Sequence, residues 1–211
     1  TLVGNVGAVN ALHVMPDGKT AMTAEDDGTI KAWDLEQGAQ RYSVHAHDGP
    51  VRALAASPDG RQAFTAGADG FVRCWDTAKG RMVKADNGIG KVLAIAAPQA
   101  LTASQAQPWI VLACEDGRLV KWLSGAGTPP ASVKAHEGPV RCVRFTPDGA
   151  FALSSGDDKA VKLWDLGTDQ CLWTVEDQKE AVNAACFAPD ARRVIFAGRS
   201  GLRAWELDWK F

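Results

Sequence analysis

The chain has 211 residues, of which 46% are hydrophobic and 23% charged, enough apolar content to bury a substantial core. Its 23 Lys and Arg stand against 25 Asp and Glu, and a net charge of -2 offers no global pull toward nucleic acid or an anionic membrane. The apolar runs are far too short to span a bilayer, and no charged-then-apolar leader opens the sequence.

From Val9 onward the chain repeats one local grammar. A short apolar run opens on Val9, Pro16-Asp17-Gly18 turns it, and a second run leads to a turn ending in Asp27-Gly28. Ile30 then alternates toward Trp33, and a fourth run covers Arg41 to Val44. Pro presets φ, Asp hydrogen-bonds within its own turn and Gly supplies positive φ, so this punctuation predicts hairpins between short strands. The second copy opens with Val51 to Ser57, turns at Pro58-Asp59-Gly60, runs from Gln62 to Thr65 and returns through Val72 to Trp75. The third opens on Val92 and returns through Val120 to Trp122, with extra length from Ala97 to Pro108 between its first two strands. The fourth opens on Val140, turns at Pro147-Asp148-Gly149, runs from Phe151 to Ser154, passes Val161 to Trp164 and adds Cys171 to Val175. The fifth opens on Val182, turns weakly at Pro189-Asp190-Ala191 and closes on Trp205.

The closing Trp residues are 42, 47, 42 and 41 residues apart. The opening Val precedes its Trp by 24 residues in repeats one, two and four, by 30 in repeat three and by 23 in repeat five. A period of about 40 to 45 residues with an aromatic ending each unit marks a radial array of small antiparallel sheets. With four strands per unit and no helical period, the expected fold is all-β.

These residues resemble the WD-repeat β-propeller family over essentially the whole chain. Trp33-Asp34, Trp75-Asp76 and Trp164-Asp165 spell the dipeptide, from which Trp122-Leu123 and Trp205-Glu206 depart. His47 and His136 stand in the family's glycine-histidine position behind Ala46 and Ala135, a place held elsewhere by Asn5, Gly88 and Gln178. The Asp six residues before the Trp is present as Asp27, Asp69, Asp116 and Asp158, and is Arg199 in repeat five. The resemblance implies a buried hydrogen-bonded set in repeats two and four: His47, Thr65, Asp69 and Trp75, then His136, Ser154, Asp158 and Trp164. The same residue types spell a hydrolytic triad. Repetition of the set in separate sheets, each with its Trp, favours a structural role.

The repeats span approximately 5–45, 46–86, 87–134, 135–176 and 177–211, forming one propeller domain or fragment over 1–211. Thr1-Leu2-Val3 resembles a preceding fourth strand that could close five sheets into a ring. The commoner seven-bladed ring favours part of a larger one instead. The tail, Trp205 to Trp209, resembles the end of bacterial WD-repeat proteins that carry a signalling or enzymatic region. The three Trp outside the period, Trp109, Trp173 and Trp209, are expected to pack between sheets, with Trp109 the most exposed of them because it adjoins the insertion. Five cysteines, odd in number and without a CxxC pair, read as reduced packing residues in a cytoplasmic setting, and four His without ligand spacing support neither a metal nor another cofactor.

In such a fold, residues beside the opening Val and beside the turn Asp share one face. The protein-binding candidates are Asn10, Asp26, Arg52, Lys91, Leu93, Glu115, Arg141, Asp157 and Asn183, with Ala68 and Arg199 at equivalent places. Arg52 and Arg141 are the expected anchors, since Arg is favoured at interface hot spots. The expected function is a non-catalytic protein-protein interaction scaffold or sensor module in a larger multidomain regulator. Its partners are proteins on the propeller face, with no nucleic acid, membrane or small-molecule substrate. The alternative, a propeller enzyme with its active site in the central funnel, needs a non-repeated acid, base or nucleophile cluster that the sequence does not display.

Overall fold

A computed structural model describes residues 4, 7–99, 109–123, 130–176, 179–188, 192–199 and 201–207. Among the described residues every regular element is a β-strand. The first sheet holds β1 (Val9–Val14), β2 (Thr20–Glu25), β3 (Thr29–Asp34) and β4 (Ala39–His45), and the second β5 (Val51–Ala56), β6 (Gln62–Gly67), β7 (Val72–Asp76) and β8 (Arg81–Asp86). The third holds β9 (Val92–Ala96), β10 (Trp109–Cys114), β11 (Arg118–Leu123) and β12 (Ala131–Lys134). The fourth holds β13 (Val140–Phe145), β14 (Phe151–Gly156), β15 (Val161–Asp165) and β16 (Gln170–Val175). The fifth, among the described residues, has three strands: β17 (Ala184–Phe187), β18 (Arg193–Gly198) and β19 (Gly201–Glu206). Strands pair antiparallel in chain order, a simple meander in each sheet.

The chain divides into two compact units, Thr1–Ile95 and Ala96–Phe211. In the first, the first and second sheets pack through Met22, Ile30, Ala32, Leu54, Ala63 and Trp75, with Tyr42 and Val44 against this core. In the second, the fourth and fifth sheets pack through Leu153, Val161, Leu163, Val182, Val194 and Phe196. The second and third strands of the first four sheets are covered on both faces, which explains why β6 and β10 read as nearly unbroken runs of small or apolar residues rather than as alternation. The outer strands β4, β8 and β12 are largely exposed. The strands β6 and β14 continue two residues past the expected Thr65 and Ser154, to Gly67 and Gly156.

The Pro-Asp-Gly turns close as their chemistry dictates. Asp59 Oδ1 accepts from the Ser57 hydroxyl at 2.6 Å and the Arg61 amide at 3.0 Å, while Gly60 takes φ 69°. Thr146 and Asp148 repeat the arrangement at 2.5 Å in the fourth sheet.

One expectation about Trp is corrected. Trp109 is only 7% exposed: it opens β10, stacks edge-on to Phe145 at 5.2 Å and lies under the Lys121 ammonium at 6.0 Å. The periodic Trp205, in contrast, is 37% exposed, on a strand whose six residues are all exposed, although it meets Trp173 edge-on at 6.1 Å. Trp209, the strand expected at Thr1 to Val3 and residues 100–108 of the insertion lie outside the described residues. Packing as the role of all five cysteines is also corrected: Cys74, Cys114 and Cys142 are buried, but Cys171 and Cys186, on the outward sides of β16 and β17, are exposed.

Candidate functional site

The His sets in the second and fourth sheets form one-way hydrogen-bond chains. Indole N–H can only donate, so Trp75 Nε1 donates to Thr65 Oγ1 at 2.9 Å, and the hydroxyl donates to His47 Nε2 at 2.8 Å. The remaining His47 Nδ1–H donates to Asp69 Oδ1 at 2.9 Å. In the fourth sheet, Trp164 Nε1 donates to Ser154 Oγ at 2.8 Å, Ser154 to His136 Nε2 at 2.7 Å, and His136 Nδ1 to Asp158 Oδ1 at 2.8 Å. Thr65 and Ser154 are 0% exposed, so neither hydroxyl can meet a substrate as a nucleophile.

Burial lowers the pKa of both imidazoles below the ordinary value, an effect only partly offset by Asp69 and Asp158. Burial pushes the Asp158 carboxyl up, but donors from His136, Ala160 and Glu137 outweigh it and hold it below the usual carboxylate range. At Asp69 burial is likewise outweighed, by Arg73, His47 and the Phe71 amide. Arg73 is a member of the second set that the residue pattern did not supply. Its Nη1 donates to Asp69 Oδ2 at 2.7 Å and touches His47 Nδ1, while its guanidinium lies 4.6 Å from the Phe71 ring centroid.

Where the His is missing, other chemistry fills the same place. In the first sheet Glu25, at the position of Gly67, is fully buried and pairs with Lys31, at the position of Arg73, at 2.7 Å. Lys31 also donates to the Gly4 carbonyl at 3.0 Å, and Trp33 Nε1 donates to Thr23 at 3.0 Å. The third sheet puts Leu112, Cys114 and Val120 at these positions, all buried. The signal was present in the sequence as a Glu in register with two Gly, with Lys31 two residues before its Trp.

The interaction candidates owe their direction to backbone irregularity. The pairings Val9↔Glu25 and Ala11↔Ala24 leave Asn10 as the extra residue of a β-bulge, and the same shift isolates Arg52 between Val51 and Ala53, and Arg141 between Val140 and Cys142. A bulge turns its extra side chain out of the ladder, and all three are exposed.

In the first unit, Asn10 Nδ2 donates to Asp26 Oδ1 and to the Val51 carbonyl, both at 3.2 Å. Arg52 has no acidic partner among the described residues, Lys91 is exposed and Leu93 half-buried. In the second unit, Arg141 grips Asp157 with two bonds, Nε to Oδ1 at 2.7 Å and Nη2 to Oδ2 at 2.5 Å. The Arg141 guanidinium in turn holds the Asp157 carboxyl below its ordinary pKa. Glu115 and Asn183 are exposed. The structure brings Arg141, Asp157 and Asn183 together in an open depression of about 670 Å³, whose wall also carries Lys159, Lys179, Glu180 and Arg199. Lys159, Lys179 and Glu180 were not among the sequence candidates; the Lys in a turn that elsewhere ends in Gly was the available sign. No group of three or more His, Cys, Asp or Glu is placed to hold a metal ion among the described residues.

Comparison with known proteins gives local likenesses. The chain is 32% identical over 80 residues to the small ribosomal subunit protein RACK1z of Arabidopsis thaliana, covering 38% of this chain and 24% of that protein. It is 33% identical over 122 residues to the ribosome biogenesis protein WDR12 homolog of Chlamydomonas reinhardtii, covering 52% of this chain and 27% of that protein. A third likeness, 35% identical over 72 residues, is to the small ribosomal subunit protein RACK1 of Candida albicans, covering 34% and 22%. The matched stretches thus span about a quarter of these relatives' length. The family described as WD domain, G-beta repeat matches residues 1–34, 38–76 and 127–165, just over half of the chain and the three repeats that keep the Trp-Asp dipeptide. With that match and five meandering antiparallel sheets, each closed by a Trp in its third strand, the chain belongs to the WD-repeat family and its sheets are β-propeller blades.

Proposed function

We propose that the chain is a non-catalytic protein-protein interaction scaffold or sensor module, working within a larger multidomain regulator in the cytoplasm. The observation that carries this reading is the recurrent β-bulge, which turns Asn10, Arg52 and Arg141 outward from the same end of their blades. A rigid β-framework with outward polar anchors suits recognition, because little is ordered on binding. Arg141 is already fixed by Asp157, so its guanidinium meets a partner without losing side-chain freedom. The sealed hydroxyls of the two His sets support a role in the framework rather than in catalysis. The relatives' names, which place them in the ribosomal subunit or in ribosome biogenesis, are compatible with assembly onto other macromolecules. Arg52→Ala/Arg141→Ala, at an unchanged melting temperature, is expected to weaken partner capture in a pull-down by about 2 kcal/mol or more. Undiminished capture moves the partner site away from these blade ends.

A further inference from the structure

Lys159 is held at φ 67°, in the left-handed region, in a turn whose equivalents in the first three blades are Gly28, Gly70 and Gly117, at φ 85°, 80° and 88°. A β-carbon strains that conformation, and strained backbone collects where the side chain serves a purpose. The Lys159 side chain lines the depression of about 670 Å³ in the second unit. Lys179 and Arg199 line the same depression, and all three cations are exposed and have no carboxylate partner among the described residues. Of the two carboxylates there, Asp157 is engaged by both bonds from Arg141, and Glu180 lies against Gly198, where an added β-carbon would meet its Oε1 at 2.8 Å. Among the described residues the lining therefore carries four cations against two anions, in a protein whose net charge is -2.

Building on the interaction reading, we propose that this depression is the docking site for an acidic peptide segment, rich in Asp or Glu, of a protein partner. The excess positive charge is spread around a wide mouth, which suits several carboxylates along a chain better than one point anion. Its size falls within the usual range of ligand clefts. No aromatic side chain lines it among the described residues, which offer no stacking platform of the kind that single-stranded nucleic acid uses. Asn183, at the rim, can donate to a peptide carbonyl and fix direction.

The test is fluorescence anisotropy with fluorescein-labelled hexaglutamate on the whole chain, in low salt. Lys159→Gly removes the cation while installing the residue that three sister turns use, and Arg199→Glu reverses a second exposed charge. The double variant is expected to weaken hexaglutamate binding about tenfold or more, and the wild-type affinity is expected to fall as salt rises. Arg61→Glu/Lys79→Ala, the same loss of net charge at exposed positions of the other unit, is expected to leave the affinity within about twofold. The inference is overturned by equal losses in both variants, by no binding of hexaglutamate to the wild type, or by tighter binding of a phosphoserine peptide or an oligothymidylate with the same dependence on Lys159 and Arg199. If Arg52→Ala/Arg141→Ala still abolishes partner capture while hexaglutamate never binds, the acidic-segment site falls and the interaction reading stands. If hexaglutamate binds as expected but capture is unaffected by that pair, the reading of the blade ends falls instead.

Discussion

Asp158 shows how much one side chain can hold. Its carboxylate accepts from His136 Nδ1 and from the amides of Glu137 and Ala160, so it ties the turn to the buried imidazole. Asp158→Ala is expected to lose about 1 to 3 kcal/mol of stability in urea titration, because it orphans a buried donor. A variant as stable as the parent contradicts that role. The imidazoles themselves set a pH dependence. Burial depresses His47 and His136 below the ordinary value of 6.5, so as pH falls the unfolded chain takes up protons that the folded one refuses. The stability contribution is full above the unfolded value of about 6.5 and is lost as pH drops through the depressed folded values. Asp69 and Asp158, held below 3.8, add a loss of the same sign further into acid. Melting temperature by calorimetry is expected to fall from neutral pH toward about pH 5, and His47→Gln/His136→Gln is expected to melt lower at neutral pH but along a flatter profile. A parent profile as flat as the variant's removes the imidazoles from the acid response. At this scale the Trp, His and Asp members were legible because they recur in register. Glu25 with Lys31 showed only as a break at one position: Glu25 replaces the recurring Gly67 and Gly156 while Lys31 keeps the basic place of Arg73 and Lys162, and no spacing along the chain says that the two meet.

Among the elements, the turn between second and third strands does different work in different blades. The Gly28 carbonyl accepts from the amides of Ala46 and His47 at 2.8 and 3.0 Å, and the Gly117 carbonyl accepts from Ala135 and His136 at 2.9 and 3.0 Å. In both, an added β-carbon would come within 2.1 Å of the following His carbonyl, a contact no side chain survives without backbone movement. Nothing lies within 4 Å of the equivalent site at Gly70. These close approaches belong to the turns that precede the two His-bearing blades. Gly70→Ala is therefore expected to cost only the left-handed strain, about 1 to 2 kcal/mol, whereas Gly28→Ala and Gly117→Ala are expected to cost clearly more. Chemical denaturation of the three variants decides it, and three equal losses would leave backbone strain as the whole cause. The turns were readable because Pro, Asp and Gly impose their own geometry. The bulges at Asn10, Arg52 and Arg141 were not, because a one-residue slip is a property of the ladder and has no residue signature of its own.

For the molecule as a whole, burial follows position within each blade more closely than it follows residue type. Period and turn chemistry predicted five meandering sheets, whereas the burial of Trp109 and the exposure of Trp205 depend on which neighbouring side chains cover each ring, a long-range matter that spacing along the chain does not encode. The cysteines offer a direct measure of the same gradient. Cys74 and Cys114 lie in the covered strands β7 and β10, where burial raises their thiols to about 11 and about 12, and Cys142 is buried in β13 with its Sγ accepting from the Ala185 amide at 3.4 Å. Thiolate is the reactive form, so Cys74 and Cys114 combine poor access with little ionisation, and burial alone shields Cys142. Cys171 and Cys186 are exposed on β16 and β17. Iodoacetamide with peptide mass mapping is expected to modify Cys171 and Cys186 in the native protein and to reach Cys74, Cys114 and Cys142 only in denaturant. Uniform labelling of all five under native conditions would mean that the covered strands open as readily as the outer ones, and the burial gradient would then not be a stability gradient.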